Sequence, residues 1–311
     1  MRVAVTGSSG LIGTALVAAL RADGHQVVRL VRAAPTGDDT IAWDPRADRG
    51  GLDPRSLDGV TAVVHLAGAG VAGQRWTESY KAQIRDSRVQ GTTGLVSALT
   101  AMTTPPAVML CGSAIGFYGD VGGREVDESS PPGTGFLAGV VRDWEAATGP
   151  AGQAGIRVIR MRTGLVLSPN GGVLARLLPL FRFGLGARLG PGTQVMSWIA
   201  LSELVAVMRF LLAHDELSGA VNATTPNPVT NREFTAALAA AVHRPALLAV
   251  PVPVLRAAIG GASSDLLSSA RVLPRRLLAA GYQFEHPVIA RALAAELSPR
   301  PAAQAQARRG E

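Results

Sequence analysis

A glycine-rich turn near the start of the chain has the spacing of a phosphate-binding loop. It lies between an apolar run at residues 3–6 and a helical pattern that begins at residue 11. The first glycine permits a tight turn, the second lets the backbone approach a pyrophosphate, and the third lets the helix pack closely on the strand. A helix that begins here offers free N–H groups and a partial positive charge to phosphates. The residues predicted to contact a dinucleotide are Gly7, Ser9, Gly10, Leu11, Ile12 and Gly13.

A glycine-rich turn is also compatible with a purely structural role. Its place between a strand and a helix favours dinucleotide binding, and an arginine further along the chain indicates which dinucleotide. The second apolar run, 27–31, is followed by Arg32. An acidic residue at this point binds the ribose 2′-hydroxyl of NAD, whereas an arginine accommodates the 2′-phosphate of NADP. Arg32 therefore favours NADP(H), and the alternative is an exposed arginine at the end of a strand.

Two hydroxyl-bearing residues follow a later apolar run and are the candidates for catalysis. Ser113 and Tyr118 lie just beyond the run at 107–110. Ligands of open α/β sheets bind outside the carboxyl ends of the strands, where these residues would lie. Ser113 is suited to a hydrogen bond with a substrate carbonyl, and Tyr118 to proton donation. In the alternative interpretation, Ser113 bonds to the backbone of its turn and Tyr118 packs against the protein.

The elements that position these residues alternate between strands and helices. Short apolar runs at 3–6, 27–31, 40–43, 62–65, 107–110 and 157–161 are separated by helical patterns. This alternation predicts an α/β protein with a Rossmann-type, doubly wound parallel sheet and a small C-terminal substrate lobe. We predict a dinucleotide-binding core at 1–165 and a mixed remainder of core and lobe at 166–297. The composition predicts a flexible tail at 298–311.

Composition excludes several classes of protein. The chain has 311 residues, of which 47% are hydrophobic and 17% charged, with a formal net charge of +7. A single cysteine excludes a disulfide framework and a zinc ribbon, and we expect no metal. The arginines are scattered and not interleaved with aromatic residues, so we expect no nucleic-acid partner. With no signal peptide or apolar stretch of about 20 residues, we expect a cytoplasmic monomer or homodimer outside the membrane that acts on a small molecule.

Several motifs together resemble a known family, the extended short-chain dehydrogenase/reductases. The match is specific to an atypical branch, the epimerase family proteins, which are similar to nucleoside-diphosphate sugar epimerases. It covers about residues 1–297. The motifs are the glycine turn, His65–Gly68, Gly112–Gly119, Arg75–Thr77, Ser87–Arg88, Arg142–Glu145, Arg162–Gly164, Met196–Ile199 and Asn227–Asn231.

The resemblance implies NADP binding and suggests further site residues, although the branch has few assigned substrates. It implies that a small-residue turn passes beside the adenosine ribose, that two α-helical residues contact the cofactor and that a later segment flanks the nicotinamide. These cofactor residues are Leu66, Ala67, Gly68, Gln83, Arg88, Gly164 and Val166. The residues expected to wall the substrate cleft are Arg75, Trp76, Ser197 and Trp198, of which the last is equally suited to the core.

One departure from the family pattern bears directly on mechanism. Ordinary members use a Tyr-x-x-x-Lys pair, in which the lysine lowers the tyrosine pKa and the tyrosine transfers a proton. The only lysine of this chain is Lys81, and no tyrosine precedes it by four residues. By resemblance the pair's positions fall near Phe136 and Val140, neither of which transfers protons.

Two hypotheses about function follow. The first is an NADP(H)-dependent oxidoreductase or epimerase that acts on a small carbonyl or sugar-like substrate, with protonation by Tyr118, water or the substrate itself. The second is a non-catalytic NADP(H)-sensing or scaffold protein. His65 lies within an apolar run, and we expect it to be a hydrogen-bonded core residue rather than a catalyst.

The assignment of Arg32 gives a first testable prediction. Arg32→Ala removes the proposed charged partner of the 2′-phosphate, a type of interaction worth about 1.5–3 kcal/mol. NADPH affinity should therefore fall by about tenfold to a hundredfold, while NADH affinity stays nearly unchanged. Calorimetric titration with both cofactors measures the two effects, and an equal loss for both would contradict the assignment.

Overall fold

A seven-stranded parallel sheet forms the centre of the protein. The computed structural model describes residues 1–47, 51–71, 74–259 and 267–298. Numbered along the chain, the sheet strands are β1 (Arg2–Thr6), β2 (Gln26–Val31), β3 (Thr40–Ala42), β4 (Ala62–His65), β5 (Val108–Ala114), β7 (Arg157–Thr163) and β12 (Gly219–Ala223). Their order is β12-β7-β5-β4-β1-β2-β3. The predicted doubly wound Rossmann fold is confirmed, because the order reverses between β1 and β4.

Helices cover both faces of this sheet. One face carries α1 (Leu11–Ala22) and α6 (Leu201–Ala213), and the other carries α2 (Glu78–Thr100), α3 (Phe136–Ala146) and α4 (Gly149–Gln153). Alternate residues of each strand face opposite layers: Val3 and Val5 pack towards α1, while Ala4 packs towards α2. Burial on both faces explains why the strands are continuous apolar runs rather than alternating patterns.

The remaining elements form a smaller lobe with its own apolar core. That core includes Leu174, Leu178, Trp198, Phe234 and Leu293. The helices that supply this core are α5 (Gly172–Arg182), α7 (Asn231–Ala241) and α10 (Ile289–Leu297). The other helices of this part of the chain are α8 (Val252–Ile259) and α9 (Arg275–Ala279), and Leu277 of α9 packs into the core of the main sheet. The short strands pair as β6 (Glu125–Val126) with β15 (Arg271–Val272), β8 (Leu165–Leu167) with β11 (Trp198–Ala200), β9 (Ala187–Leu189) with β14 (Leu248–Val250), and β10 (Val195–Met196) with β13 (Val229–Thr230).

The edge strand β12 was not predicted. Its sequence places Asn222 among small residues, so it lacks a long apolar run, yet it pairs in parallel with β7 along its whole length. The C-terminal part of the chain thus returns to the main sheet. The boundary proposed at residue 165 stays a prediction, and residues 299–311 of the predicted tail lie outside the described residues. None of the described helices combines the length and apolar character needed to cross a bilayer.

The glycine turn joins β1 to α1 so closely that two of its positions exclude a side chain. A Cβ atom on Gly13 would lie 2.2 Å from the carbonyl oxygen of Gly7. Gly7 has a φ of +67°, and its Cβ would lie 2.8 Å from the carbonyl carbon of Leu66. Gly10 is less crowded, since its closest neighbour would be 3.3 Å away.

These distances predict different effects for two alanine substitutions. Gly13→Ala forces α1 away from the turn and should lower the free energy of unfolding by about 1–3 kcal/mol. Gly10→Ala is the matched control. Without cofactor, this variant should keep nearly all of the free energy of unfolding of the wild-type protein. Urea denaturation of the two variants measures the difference. Equal stability of both variants would show that the turn does not constrain the packing of α1.

Candidate functional site

The predicted site residues gather at the carboxyl ends of β1, β4, β5 and β7. The glycine turn lies at the point where the strand order reverses, which is the usual position of a ligand crevice in such sheets. Gly10 precedes α1 without a side-chain hydrogen bond to the helix, and the first turn of α1 has no acidic residue. Its N–H groups and partial positive charge therefore suit a phosphate.

The hydroxyl of Thr6 joins the ends of β1 and β4. It accepts hydrogen bonds from the backbone N–H groups of Leu66 and Ala67, at 3.1 and 3.2 Å. Its own proton is then available for the Nδ1 atom of His65, at 2.7 Å. These bonds fix the 66–67 turn against the strand that enters the glycine turn.

His65 extends this network across the sheet to two helices. Its Nε2 atom lies 3.0 Å from the hydroxyl of Thr92 on α2, which also accepts the indole N–H of Trp144 on α3, at 2.9 Å. Because Thr6 donates to Nδ1, the imidazole is the neutral tautomer with its proton on Nε2. Complete burial lowers the pKa of His65 to about 4. The histidine is a hydrogen-bonded core residue, as expected.

Arg88 lies beneath the turn that follows β4. Its Nη1 atom donates to the carbonyl oxygens of Ala69 and Ile84, at 2.9 and 3.0 Å. A Cβ on Gly68 would lie 3.3 Å from its Cζ atom, so a side chain there would displace the guanidinium by a few tenths of an ångström. Burial lowers the pKa of Arg88, and within the described residues no carboxylate forms an ion pair with it. Gln83 lies apart from it on an exposed part of α2.

Ser113 belongs to a buried polar network that the sequence did not reveal. Its hydroxyl donates to Glu145 of α3, at 2.6 Å. The same carboxylate receives two hydrogen bonds from the guanidinium of Arg162, at 2.8 and 2.9 Å. Both charged side chains are 5% exposed. The proton of Ser113 therefore points into the protein rather than towards a ligand.

The register of three strands builds this network. Ser113 of β5 pairs with Arg162 of β7, which pairs with Asn222 of β12, so the three side chains form a row on one face of the sheet. Glu145 meets this row from the α3 side. Parallel pairing between distant segments created the arrangement, and no local spacing in the sequence indicated it.

Tyr118 lies at the end of the same row. Its side chain is 1% exposed, donates to Asn222 at 2.7 Å and accepts from Arg162 at 3.0 Å. Burial raises the pKa of its hydroxyl to about 12, against the lowering effect of Arg162. This geometry favours a packing role over proton donation.

The hydroxyls of all three tyrosines are hydrogen-bonded within the protein. Tyr80 donates to the carbonyl oxygen of Gly70, and Tyr282 donates to Glu203 at 2.5 Å. Each of the three rings is at most 8% exposed. Lys81, the only lysine, forms an ion pair with Glu78 at 2.8 Å. The chain thus presents no tyrosine hydroxyl to a ligand in this conformation.

An apolar cluster stands where the Tyr-x-x-x-Lys pair was expected by resemblance. Phe136 and Val140 lie on consecutive turns of α3 and pack with Tyr80 and Ile84 of α2. Trp76 joins them through an edge-to-face contact with Phe136, with ring centroids 5.3 Å apart. Phe136 and Val140 have no group that transfers a proton, and the hydroxyl of Tyr80 in this cluster is bonded to the carbonyl oxygen of Gly70.

The remaining predicted site residues lie either at exposed positions or in the interior of the protein. Arg32 and Arg75 are exposed. Gly164 lies where a Cβ would come within 2.8 Å of the carbonyl oxygen of Ser197. Ser197 is buried and bonds to the backbone of Ala270 at 2.9 Å. Like fully buried Trp198, it would reach a substrate only if the lobe opened, so both assignments stay predictions.

Two short strands, β10 and β11, lie within residues 195–200 and belong to different sheets. Ser197 lies between them, and its hydroxyl donates to the carbonyl oxygen of Ala270 and accepts from the N–H of Val272. A capping box begins α7, with Thr230 and Glu233 bonded reciprocally. No group of three or more potential metal ligands occurs in the described parts of the chain.

Comparisons with known proteins agree with this geometry. Residues 3–223 match the model of the NAD dependent epimerase/dehydratase family. The chain belongs to this family. A second match, to a domain of unknown function, covers residues 250–296. The family match spans the main sheet and both of its helical layers.

Individual relatives show to which branch of the family the chain is similar. An epimerase family protein of Mycobacterium bovis is 49% identical over 292 residues, covering 94% of this chain and 96% of the relative. The human epimerase family protein SDR39U1, whose crystal structure contains NADPH, is 31% identical with a TM-score of 0.85, covering 95% and 98% of the two chains. A nucleoside-diphosphate sugar epimerase of Corynebacterium glutamicum is 37% identical with a TM-score of 0.80, covering 98% of this chain and 60% of that one. The predicted relationship to the atypical epimerase family branch is confirmed.

The buried His65 predicts a dependence of stability on pH. The unfolded chain binds a proton near pH 6.5, whereas the folded protein binds it only near pH 4. Stability should therefore fall as the pH decreases through this interval, by up to about 3 kcal/mol from this residue. His65→Asn should flatten that slope, while His243→Asn at an exposed position should keep it. Urea midpoints between pH 4 and 7 test this, and identical slopes for both variants would refute it.

Proposed function

We propose that the protein is an NADP(H)-dependent oxidoreductase or epimerase that acts on a small carbonyl or sugar-like substrate. The observation that carries this proposal is the uncapped N-terminus of α1 behind a turn that excludes side chains at Gly7 and Gly13. Such a turn leaves backbone N–H groups as the only contacts for a phosphate. Arg32 at the end of β2 and the NADPH in the similar human structure favour the phosphorylated dinucleotide.

The residues present fit this cofactor along its whole length. Arg32 would hold the 2′-phosphate, the 9–13 segment the pyrophosphate, and the 66–68 turn the adenosine ribose. Arg88 beneath that turn would stabilise nearby oxygen atoms, while Gly164 and Val166 would flank the nicotinamide. When bound, the nicotinamide supplies or accepts a hydride.

The proton that accompanies the hydride needs another source than in ordinary members of the family. The hydroxyls of Ser113 and Tyr118 are bonded to Glu145 and Asn222, and an apolar pair replaces tyrosine and lysine on α3. We infer that a bound water or the substrate itself carries the proton. Ser113 and Tyr118 then position the end of β5 rather than exchange protons.

A non-catalytic NADP(H) sensor is the second candidate. The observation that favours it is that every tyrosine hydroxyl is hydrogen-bonded within the protein, while the single lysine forms an ion pair with the exposed Glu78. A sensor would need the cofactor site and no proton donor. In either case we propose a cytoplasmic monomer or homodimer whose partner is a small molecule.

One experiment separates the two candidates. Wild-type protein and Tyr118→Phe are titrated with NADPH and then incubated with deuterated NADPH and a panel of carbonyl compounds and nucleotide sugars. We expect NADPH binding by both, with dissociation constants within about twofold, and deuterium transfer at similar rates. Mass spectrometry of the products measures the transfer.

Each other outcome has a distinct meaning. Failure of wild-type protein to bind NADPH would overturn both candidates. Binding of NADPH with no deuterium transfer to any compound, and with no epimerisation of any nucleotide sugar in the presence of NADP⁺, would favour the sensor. Loss of transfer in Tyr118→Phe with unchanged NADPH binding would assign the proton to Tyr118 and contradict the inferred source.

A further inference from the structure

A cleft lies on the face of the main sheet over β7 and the edge strand β12. It has a volume of about 480 Å³. Its lining includes Arg160, Arg162, Ala220, Glu128 and Arg276. A second groove of about 500 Å³ shares Arg160 with it. The lining residues include Arg162 of the Ser113 network but none of the predicted cofactor residues, so the cleft differs from the crevice at the glycine turn.

Arg160 has no partner among the described residues. It forms neither an ion pair nor a hydrogen bond there, and its Nε atom is buried without an acceptor. Arg157 on the same strand differs, because it donates to the carbonyl oxygens of Leu211 and Leu217 and pairs with Asp215. Buried polar groups are normally hydrogen-bonded, so an unbonded guanidinium nitrogen in a cleft wall indicates a missing acceptor.

Glu128 contributes a second unbonded atom to the same cleft. Its Oε1 atom accepts from the backbone N–H groups of Asn222 and Arg276, at 3.0 and 3.4 Å. Its Oε2 atom is buried and has no hydrogen-bond donor within the described residues. A carboxylate oxygen accepts hydrogen bonds, so this atom suits a ligand hydroxyl.

Four arginines and two carboxylates, those of Asp127 and Glu128, line the cleft. The charge of Arg162 is compensated by Glu145, and the carboxylate of Asp127 is held by the backbone and hydroxyl of Ser129. Arg276 donates only to the backbone carbonyls of Ser218 and Ala220, which carry no net charge. Two guanidinium groups, those of Arg160 and Arg276, thus face the cleft without a paired carboxylate.

We propose that this cleft binds a small hydroxylated oxyanion, with the phosphate or carboxylate group on Arg160 and a hydroxyl group on Glu128. Its volume lies in the range of small-molecule sites. An arginine holds planar carboxylates and phosphate oxygens through its forked N–H groups. The site does not depend on NADP(H) binding, because it lies on a different part of the sheet.

The test compares Arg160→Met with Arg142→Met, which removes an exposed arginine of α3 that has no bonded partner in the described structure. Calorimetry with inorganic phosphate, at constant ionic strength and with saturating NADP⁺ so that the glycine turn and Arg32 are occupied, gives the dissociation constants. We expect Arg160→Met to bind phosphate at least tenfold more weakly than wild-type protein, and Arg142→Met to bind it equally well. Since Arg160 makes no bonds, its replacement should not lower the melting temperature of the free protein.

Further probes identify the ligand chemistry. Glycerol 3-phosphate should bind more tightly than inorganic phosphate, and Glu128→Gln should abolish that preference while phosphate binding persists. If malonate binds more tightly than phosphate, and Arg160→Met no longer binds it, the ligand of this site is a carboxylate. If Arg160→Met binds phosphate and malonate with the same affinities as wild-type protein, the proposal is overturned. This holds even if NADPH binds as expected at the glycine turn.

Discussion

The hydroxyl of Thr6 controls how the two halves of the sheet meet. It makes three hydrogen bonds, two from the backbone after β4 and one to His65, and so joins the strands at which the order reverses. His65 transmits this constraint to α2 and α3 through Thr92. The crevice beside the glycine turn keeps its shape because these bonds are buried and fully satisfied, which makes them costly to break.

The carboxyl edge of the main sheet keeps the turn for a cofactor but lacks the usual proton-transfer group. The turn before α1 keeps the features that a pyrophosphate needs, whereas the β5 end is occupied by an internal network of Ser113, Glu145, Arg162 and Tyr118. Removing one partner of such a buried ion pair is costly, because it leaves the other charge buried and uncompensated. The network holds the hydroxyls in place and withdraws them from the crevice.

The sequence allowed the fold class and the glycine turn to be predicted, because both depend on local patterns. Gly13 is one example, since its spacing from Gly7 already implied close packing. The Ser113–Arg162–Asn222 row was beyond prediction, as it arises from the parallel register of segments far apart in the chain. The strand around Asn222 was missed for a related reason: its burial comes from pairing with β7 rather than from an apolar run.

The central claim is that the protein binds NADP(H) beside a site without a tyrosine proton donor. A crystal structure of the complex with NADP⁺ tests it most directly. The account predicts the pyrophosphate on the N–H groups at the start of α1, the 2′-phosphate on Arg32, and Phe136 and Val140 near the nicotinamide. All three tyrosine hydroxyls should keep their internal partners. A dinucleotide bound elsewhere, or the hydroxyl of Tyr80 or Tyr118 within hydrogen-bond distance of the nicotinamide ribose, would contradict the account.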